Sequence, residues 1–174
     1  MSTFYGQPKL EDVVADLQDP YLLGDEWDMV AANLNTATDM YINQDSGRVR
    51  VKWLRNTGAT ALAAGEIVML DVSEGNSHDV EQAISGSVGY AIVSPFITAT
   101  VPTGSKFCGI IKGETDVLCG GTISAGAAVG VTTSGRGLTN DLSSAALQKT
   151  AFGRCIEAGS SGVLSKVIVD FVVR

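Results

Sequence analysis

The sequence has few of the residues that most catalytic and metal sites use. Its 174 residues include one histidine and three cysteines, and aromatic residues make up only 6%. The cysteines, Cys108, Cys119 and Cys155, lack the CxxC or CxxH spacing of zinc sites, and their odd number does not suit a disulfide framework. We therefore expect three buried free thiols and no metal site.

Nucleotide-binding and hydrolase motifs are also missing. Gly104–Lys106 lacks the preceding glycine of a P-loop, and Gly135–Gly137 is a lone GxG. Ser77–Asp79 contains the residue types of a catalytic triad, but the members of a triad normally come from separated positions, because adjacent residues rarely converge on one point. The sequence predicts a protein that is not an enzyme, with no catalytic residue, no cofactor and no small-molecule substrate.

Long apolar runs and a targeting segment are absent too. No stretch of 18 apolar residues occurs, and the amino terminus lacks the basic-then-apolar pattern of a signal peptide. We expect no membrane partner and no secretion. The net charge is −7, and an acidic segment argues against binding to nucleic acid, which needs clustered lysine and arginine.

The charge divides the chain into two segments. Residues 1–47 contain nine carboxylates and one lysine, whereas residues 48–174 contain ten acidic and eleven basic side chains. Such an asymmetry is typical of two different structural parts. We predict an acidic amino-terminal arm over 1–47 and a separate domain over 48–174.

The arm is expected to be extended and to contain one short helix. Leu10, Val13, Val14 and Leu17 follow the spacing of an amphipathic helix, which Asp19-Pro20 would end. The rest of the arm mixes large apolar side chains with many acids, so it can neither stay fully solvated nor bury itself well alone. It should pack on another surface, either the body of this protein or a partner, and we favour the partner.

The first segment of the domain alternates basic and apolar residues over Arg48–Arg55. This pattern predicts a strand with Val49, Val51 and Trp53 facing inward. The basic face could lie in solvent or pair with an acidic partner.

The domain is rich in glycine and repeats itself. The chain has 20 glycines, above the usual share of about 7%, which favours many turns between short strands. Thr60–Leu70 resembles Thr122–Val131, and two further matches recur at nearly the same offset of about 60 residues. We predict an all-β barrel or sandwich of two similar units, about 56–115 and 117–174, with separate strands at Lys106–Ile111 and Thr115–Cys119.

These motifs resemble the small β-rich decoration, or cement, proteins of the heads of tailed bacteriophages. The resemblance covers roughly residues 56–172, and its motifs consist mainly of glycine and alanine. They are Ala63–Val68, Val88–Ile92, Pro102–Phe107, Gly120–Val131, Phe152–Ala158 and Gly162–Val169.

The resemblance implies a structural virion protein, made in the host cytoplasm, that binds the outer surface of the major capsid protein lattice and stabilises the head, often as a homotrimer. No active site is carried over. Large aromatic residues tend to dominate interfaces, so the candidate capsid contacts on the arm are Phe4, Tyr5, Tyr21 and Trp27. The alternative is a receptor- or glycan-binding module of a phage fibre or spike.

Overall fold

The computed structural model describes residues 10–15, 23–30 and 48–171, and the regular secondary structure of this part of the chain is mostly β-strand. The all-β prediction is confirmed, although the sheet does not form a clear barrel. The described strands are β1 (Val13–Val14), β2 (Glu26–Val30), β3 (Arg48–Asn56), β4 (Ile67–Leu70), β5 (Asp79–Gln82), β6 (Ala91–Val93), β7 (Lys106–Leu118), β8 (Ala128–Val131), β9 (Gly137–Asn140), β10 (Gly153–Cys155) and β11 (Leu164–Asp170). The one described α-helix is α1 (Ala145–Thr150), and a short 3₁₀ helix lies at Thr133–Gly135.

The first unit consists of β3, β4, β5, β6 and the first half of β7. β3 pairs in parallel with β5 and antiparallel with β7, while β4 joins β5 to β6 and β6 pairs with β7. These pairings form a closed circuit. Three of these strand pairings, β3 with β5, β4 with β6 and β6 with β7, contain only two residue pairs each. The circuit is therefore too weakly closed at these points to be a regular barrel.

The second unit consists of the second half of β7 and of β8 to β11, and it repeats the same arrangement. β8 pairs with β9 and β10, β10 pairs with β11, and β11 pairs with β7, all antiparallel. A parallel bridge between Cys119 and Gly137 completes the second circuit. This bridge corresponds to the parallel pairing of β3 with β5 in the first unit.

Contacts outside the strands recur as well. An antiparallel bridge joins Leu62 to Val101 in the first unit, and another joins Ile123 to Gly159 in the second. Ile123 follows Leu62 by 61 residues, and Gly159 follows Val101 by 58 residues, which are the offsets of the sequence repeat. The two units are therefore alike in their turns as well as in the arrangement of their strands.

β7 runs without interruption through the boundary between the units. The sequence predicts separate strands on either side of Gly113, and this prediction is wrong, because β7 extends over thirteen residues. Gly113 adopts φ 110°, which a glycine tolerates, and it pairs with Val169 of β11. Each half of β7 has its own neighbouring strands, so the backbone stays paired across the irregular position.

β3 lies between two hydrophobic clusters. Val49, Val51 and Trp53 are fully buried in the larger cluster, as the alternation predicts. Leu54 is also fully buried, and it packs in a second cluster that includes Phe107. Burying a large apolar side chain contributes roughly 1.5–3 kcal/mol, so both faces of β3 stabilise the fold.

The spacing of Leu10 to Leu17 predicts a helix, and this prediction is wrong for the described residues. Leu10 lies in a turn and is buried, and Val13–Val14 form β1, which pairs with Phe107 and Lys106 of β7. Leu17 lies outside the described residues. Two adjacent β-branched residues favour a strand when an open sheet edge offers backbone partners, so tertiary pairing overrides the helical spacing.

The turns before β4 and β8 provide a matched pair for a test of packing. Gly65 and Gly126 occupy equivalent turns with φ of 75° and 79°. A Cβ at Gly65 would lie 3.0 Å from the backbone nitrogen of Leu118, whereas a Cβ at Gly126 would meet no atom within 4 Å.

We expect Gly126→Ala to destabilise the protein by about 1–2 kcal/mol from its left-handed backbone alone. Gly65→Ala should destabilise it by at least about 1 kcal/mol more, because it adds overpacking between the units. Urea denaturation followed by circular dichroism measures both. Equal losses for the two variants would contradict the packing of the Gly65 turn against β7.

Candidate interaction surface

The described part of the acidic arm lies against the basic strand of the same chain. β2 pairs antiparallel with β3, which places Glu26 opposite Lys52 and Asp28 opposite Arg50. The Lys52 Nζ lies 3.1 Å from Glu26 Oε1, and the Arg50 Nε lies 2.9 Å from Asp28 Oδ1. Acidic residues of the arm therefore form ion pairs with basic residues of β3 in the same chain.

Lys52 is the most buried of these charges. Its ammonium group donates a hydrogen bond of 2.7 Å to the Tyr90 hydroxyl, which in turn donates one of 2.7 Å to the Ser77 carbonyl. Burial lowers the pKa of Lys52, but the hydrogen bonds to Tyr90 and Glu26 outweigh it and raise the pKa above its ordinary value. Lys52 thus joins β2, β3 and the loop before β6.

A second ion pair, with a buried carboxylate, lies at the other end of β3. Arg55 donates two hydrogen bonds of 2.8 Å to the carboxylate of Asp79, which is fully buried, and Asn76 donates a third of 2.9 Å. Burial raises the pKa of Asp79, but the hydrogen bonds from Arg55 and Asn76 outweigh it and lower the pKa below its ordinary value. This pair joins β3 to β5, where only two residue pairs form the ladder.

The Ser77–Asp79 segment has structural roles in this geometry. The Asp79 carboxylate is held by Arg55 and Asn76, and the Ser77 carbonyl accepts from Tyr90. The imidazole of His78 packs against Gly24 of the arm. Within residues 10–15, 23–30 and 48–171, no three histidine, cysteine or acidic side chains are grouped so that they could hold a metal ion.

Of the four predicted capsid contacts, the structure describes Trp27. It lies in β2 opposite Val51 and packs, half-buried, against the larger core cluster. Its indole Nε1 is buried and has no hydrogen-bond partner. Phe4, Tyr5 and Tyr21 lie outside the described residues. The capsid-contact role of all four side chains stays a prediction.

Exposed apolar side chains of the second unit form a surface that the sequence reasoning missed. They include Ile156, Val163, Leu164 and Ile168, and Leu138 and Leu147 are exposed elsewhere in the same unit. The signal was present in β11, where apolar residues occupy both the inward and the outward positions. A groove of about 530 Å³ between α1 and this sheet is lined in part by Leu142, Phe152, Arg154 and Ile168.

Among the described residues, no helix has the length and apolar character needed to cross a membrane.

Comparison with known proteins gives a fold and no family. No protein-family model matches the chain, and no curated protein matches it. The structure is similar to the N base of the head fibre gp8.5 of bacteriophage phi29, with a TM-score of 0.52 and 14% sequence identity. The match covers 70% of this chain and 93% of that one. At this identity the similarity shows a shared fold.

The Arg55–Asp79 pair predicts a specific dependence of stability on pH. Asp79 has a lowered pKa in the folded state, so its contribution is present above the ordinary value of 3.8 and is lost as the pH falls through the folded pKa. We expect Asp79→Asn to reduce the free energy of unfolding by roughly 1–3 kcal/mol at pH 7. The difference from the wild type should shrink below pH 3.8.

Urea denaturation between pH 2.5 and 7 tests this prediction. Asp28→Asn is the matched control, because the Asp28–Arg50 pair is partly exposed; a change below about 0.5 kcal/mol is expected there. A loss in Asp79→Asn that is the same at every pH would refute the role assigned to the charge of Asp79.

Proposed function

We propose that this protein is a structural component of a bacteriophage virion that binds the outer surface of the major capsid protein lattice and stabilises the head. The observation that carries the proposal is the fold shared with the head fibre N base of phage phi29. The glycine- and alanine-rich motifs, which resemble those of phage decoration proteins, support it independently. We assign the protein no catalytic role.

The physical properties of the molecule suit this role. A shell protein lattice offers the same site many times, and many weak contacts add to a strong attachment when binding is multivalent. The body is stiffened by two circuits of paired strands and by two ion pairs, Arg55–Asp79 with a buried carboxylate and Lys52–Glu26 with a buried ammonium group. We further propose a homotrimer, in which strand edges of neighbouring copies, apart from the exposed apolar edge of β11, would cover one another.

A second candidate function is a receptor- or glycan-binding module of a phage fibre or spike. One observation favours it, because the structural neighbour is itself part of a head fibre. Exposed aromatic side chains on the loops of the body would support this reading, since sugar binding uses them. No aromatic residue is among the large exposed side chains of the described part of the chain, so we rank this function second.

Copy number separates the two functions. If the protein decorates the head, quantitative mass spectrometry of purified particles should find it in near-stoichiometric ratio to the major shell protein. A few copies per particle would favour the fibre or spike module. Absence from the particles would overturn both.

The arm residues give a second test, on purified heads that lack this protein. We expect the double change Phe4→Ala and Tyr5→Ala to lower occupancy at subsaturating concentration by tenfold or more, since aromatic anchors at an interface often contribute 2 kcal/mol or more. Val72→Ala, at a highly exposed apolar side chain of the body, is the control. Unchanged occupancy of the double variant would remove Phe4 and Tyr5 from the docking surface.

A further inference from the structure

The two units differ at one equivalent sheet edge. In the first unit, β1 lies along the edge of β7, with Val14 opposite Lys106 and Val13 opposite Phe107. The arm therefore supplies an added strand there. The sequence repeat and the hydrogen bonds identify the corresponding edge in the second unit.

Leu164 is the equivalent of Lys106. In the first unit, Asn56 N donates to Ser105 O at 3.0 Å and Gly104 N donates to Asn56 O at 2.7 Å. In the second unit, Cys119 N donates to Val163 O at 3.0 Å and Gly162 N donates to Cys119 O at 2.8 Å. The residue that follows is Lys106 in one unit and Leu164 in the other.

The backbone groups of Leu164 point toward the open side of β11. Leu164 lies opposite Leu118, but the Leu118 amide donates to Gly65 O at 2.8 Å, so these two residues do not exchange ladder hydrogen bonds. On the far side of β11, the chain that follows β10 makes its last backbone hydrogen bonds to the Lys166 carbonyl, which accepts from Ile156 and Glu157, and the Ser165 hydroxyl donates to the Glu157 carbonyl. No described strand pairs with Leu164 on that side.

Burial at the two edges is the reverse of what polarity predicts. In the first unit, Ser94, Ser105 and Lys106 are 0%, 9% and 8% exposed. Ile156 is the equivalent of Ser94, because Ile156 N donates to Lys166 O as Ser94 N donates to Cys108 O. The three equivalents in the second unit are apolar, yet Ile156, Val163 and Leu164 are 38%, 51% and 42% exposed. Polar residues are covered where β1 is present, and apolar residues are exposed where the described part of the chain has no such strand. Clustered apolar groups at an open strand edge indicate an interaction site.

We propose that the Leu164 edge is a strand-addition site for an extended apolar segment of a partner protein, paired as β1 is paired in the first unit. The described Val13–Val14 segment is already paired with the first unit, and the occupant that we propose for the Leu164 edge is a strand of a different protein. The inference rests on the proposed function, which makes that partner the shell protein. Because Leu164 replaces the charged Lys106, the facing residues of the partner are uncharged.

Hydrogen exchange resolved to single residues tests the site on the full-length protein, free and bound to purified heads that lack it. The Leu164 amide should exchange rapidly in the free protein and at least about tenfold more slowly on heads. Binding without added protection at Leu164 would overturn this inference and leave the proposed function standing. No binding to heads would reject the proposed function itself.

Leu164→Pro provides the matching variant. Proline removes an amide that makes no ladder hydrogen bond within the described sheet, and edge strands tolerate it. We expect a tenfold or greater loss of head occupancy, because the donor of the added strand pair is gone. Urea denaturation confirms that the variant folds. Should it not fold, Leu164→Asp keeps the amide, places a charge against an apolar occupant, and should cause a similar loss.

Two outcomes mark the limits of the assignment. Ile168→Ala removes a more exposed apolar side chain from the same strand, but its backbone is already paired with Arg154, and occupancy should stay within about twofold of the wild type. An equal loss in that variant would show a general apolar contact and overturn strand addition. Concentration-dependent protection of Leu164 in the free protein would assign the edge to a second copy and overturn the partner.

Discussion

The continuous pairing of β7 is the constraint on which the rest of the structure depends. This thirteen-residue strand pairs with β1, β3 and β6 through its first half and with β11 through its second. Each unit needs its half of β7 to close its circuit of strands. The two units therefore have a strand in common, in addition to their side-chain contacts. Disruption of one half of β7 removes hydrogen bonds on which the other half relies. Turn contacts such as Gly65 against Leu118 and Gly135 against Ala83 add to this coupling.

Charge pairing explains why an acidic arm and a basic strand occur in one chain. Each cation of β3 with a described partner, namely Arg50, Lys52 and Arg55, meets a carboxylate of the same molecule. The partly exposed Arg50–Asp28 pair contributes little, whereas Lys52 and Arg55 hold hydrogen bonds in places where water has limited access. The arm residues 23–30 thus contribute to the body, with Trp27 packed on the core. A side chain in that position affects folding as well as any contact with a partner.

The differences between the two units carry more information on function than their similarity does. Both units use equivalent strand pairings. The first unit has an arm strand on its edge, and the second has exposed apolar residues at the equivalent edge and a helix, α1, between β9 and β10. A duplicated scaffold that keeps one edge covered and leaves the other open is suited to joining its own arm at one end and a second protein at the other.

The amino-acid sequence by itself determined the fold class, the internal repeat, the inward face of β3 and the division of charge, because each of these follows from local composition and periodicity. It did not determine that Leu10 to Val14 form a turn and a strand, that β7 continues through Gly113, or that Val163 and Leu164 remain exposed. Those features depend on which sheet edge is available to which segment. Backbone pairing between residues far apart in the chain decides this, and side-chain spacing does not encode it. For the same reason the candidate docking edge became visible only when the two units could be compared in three dimensions.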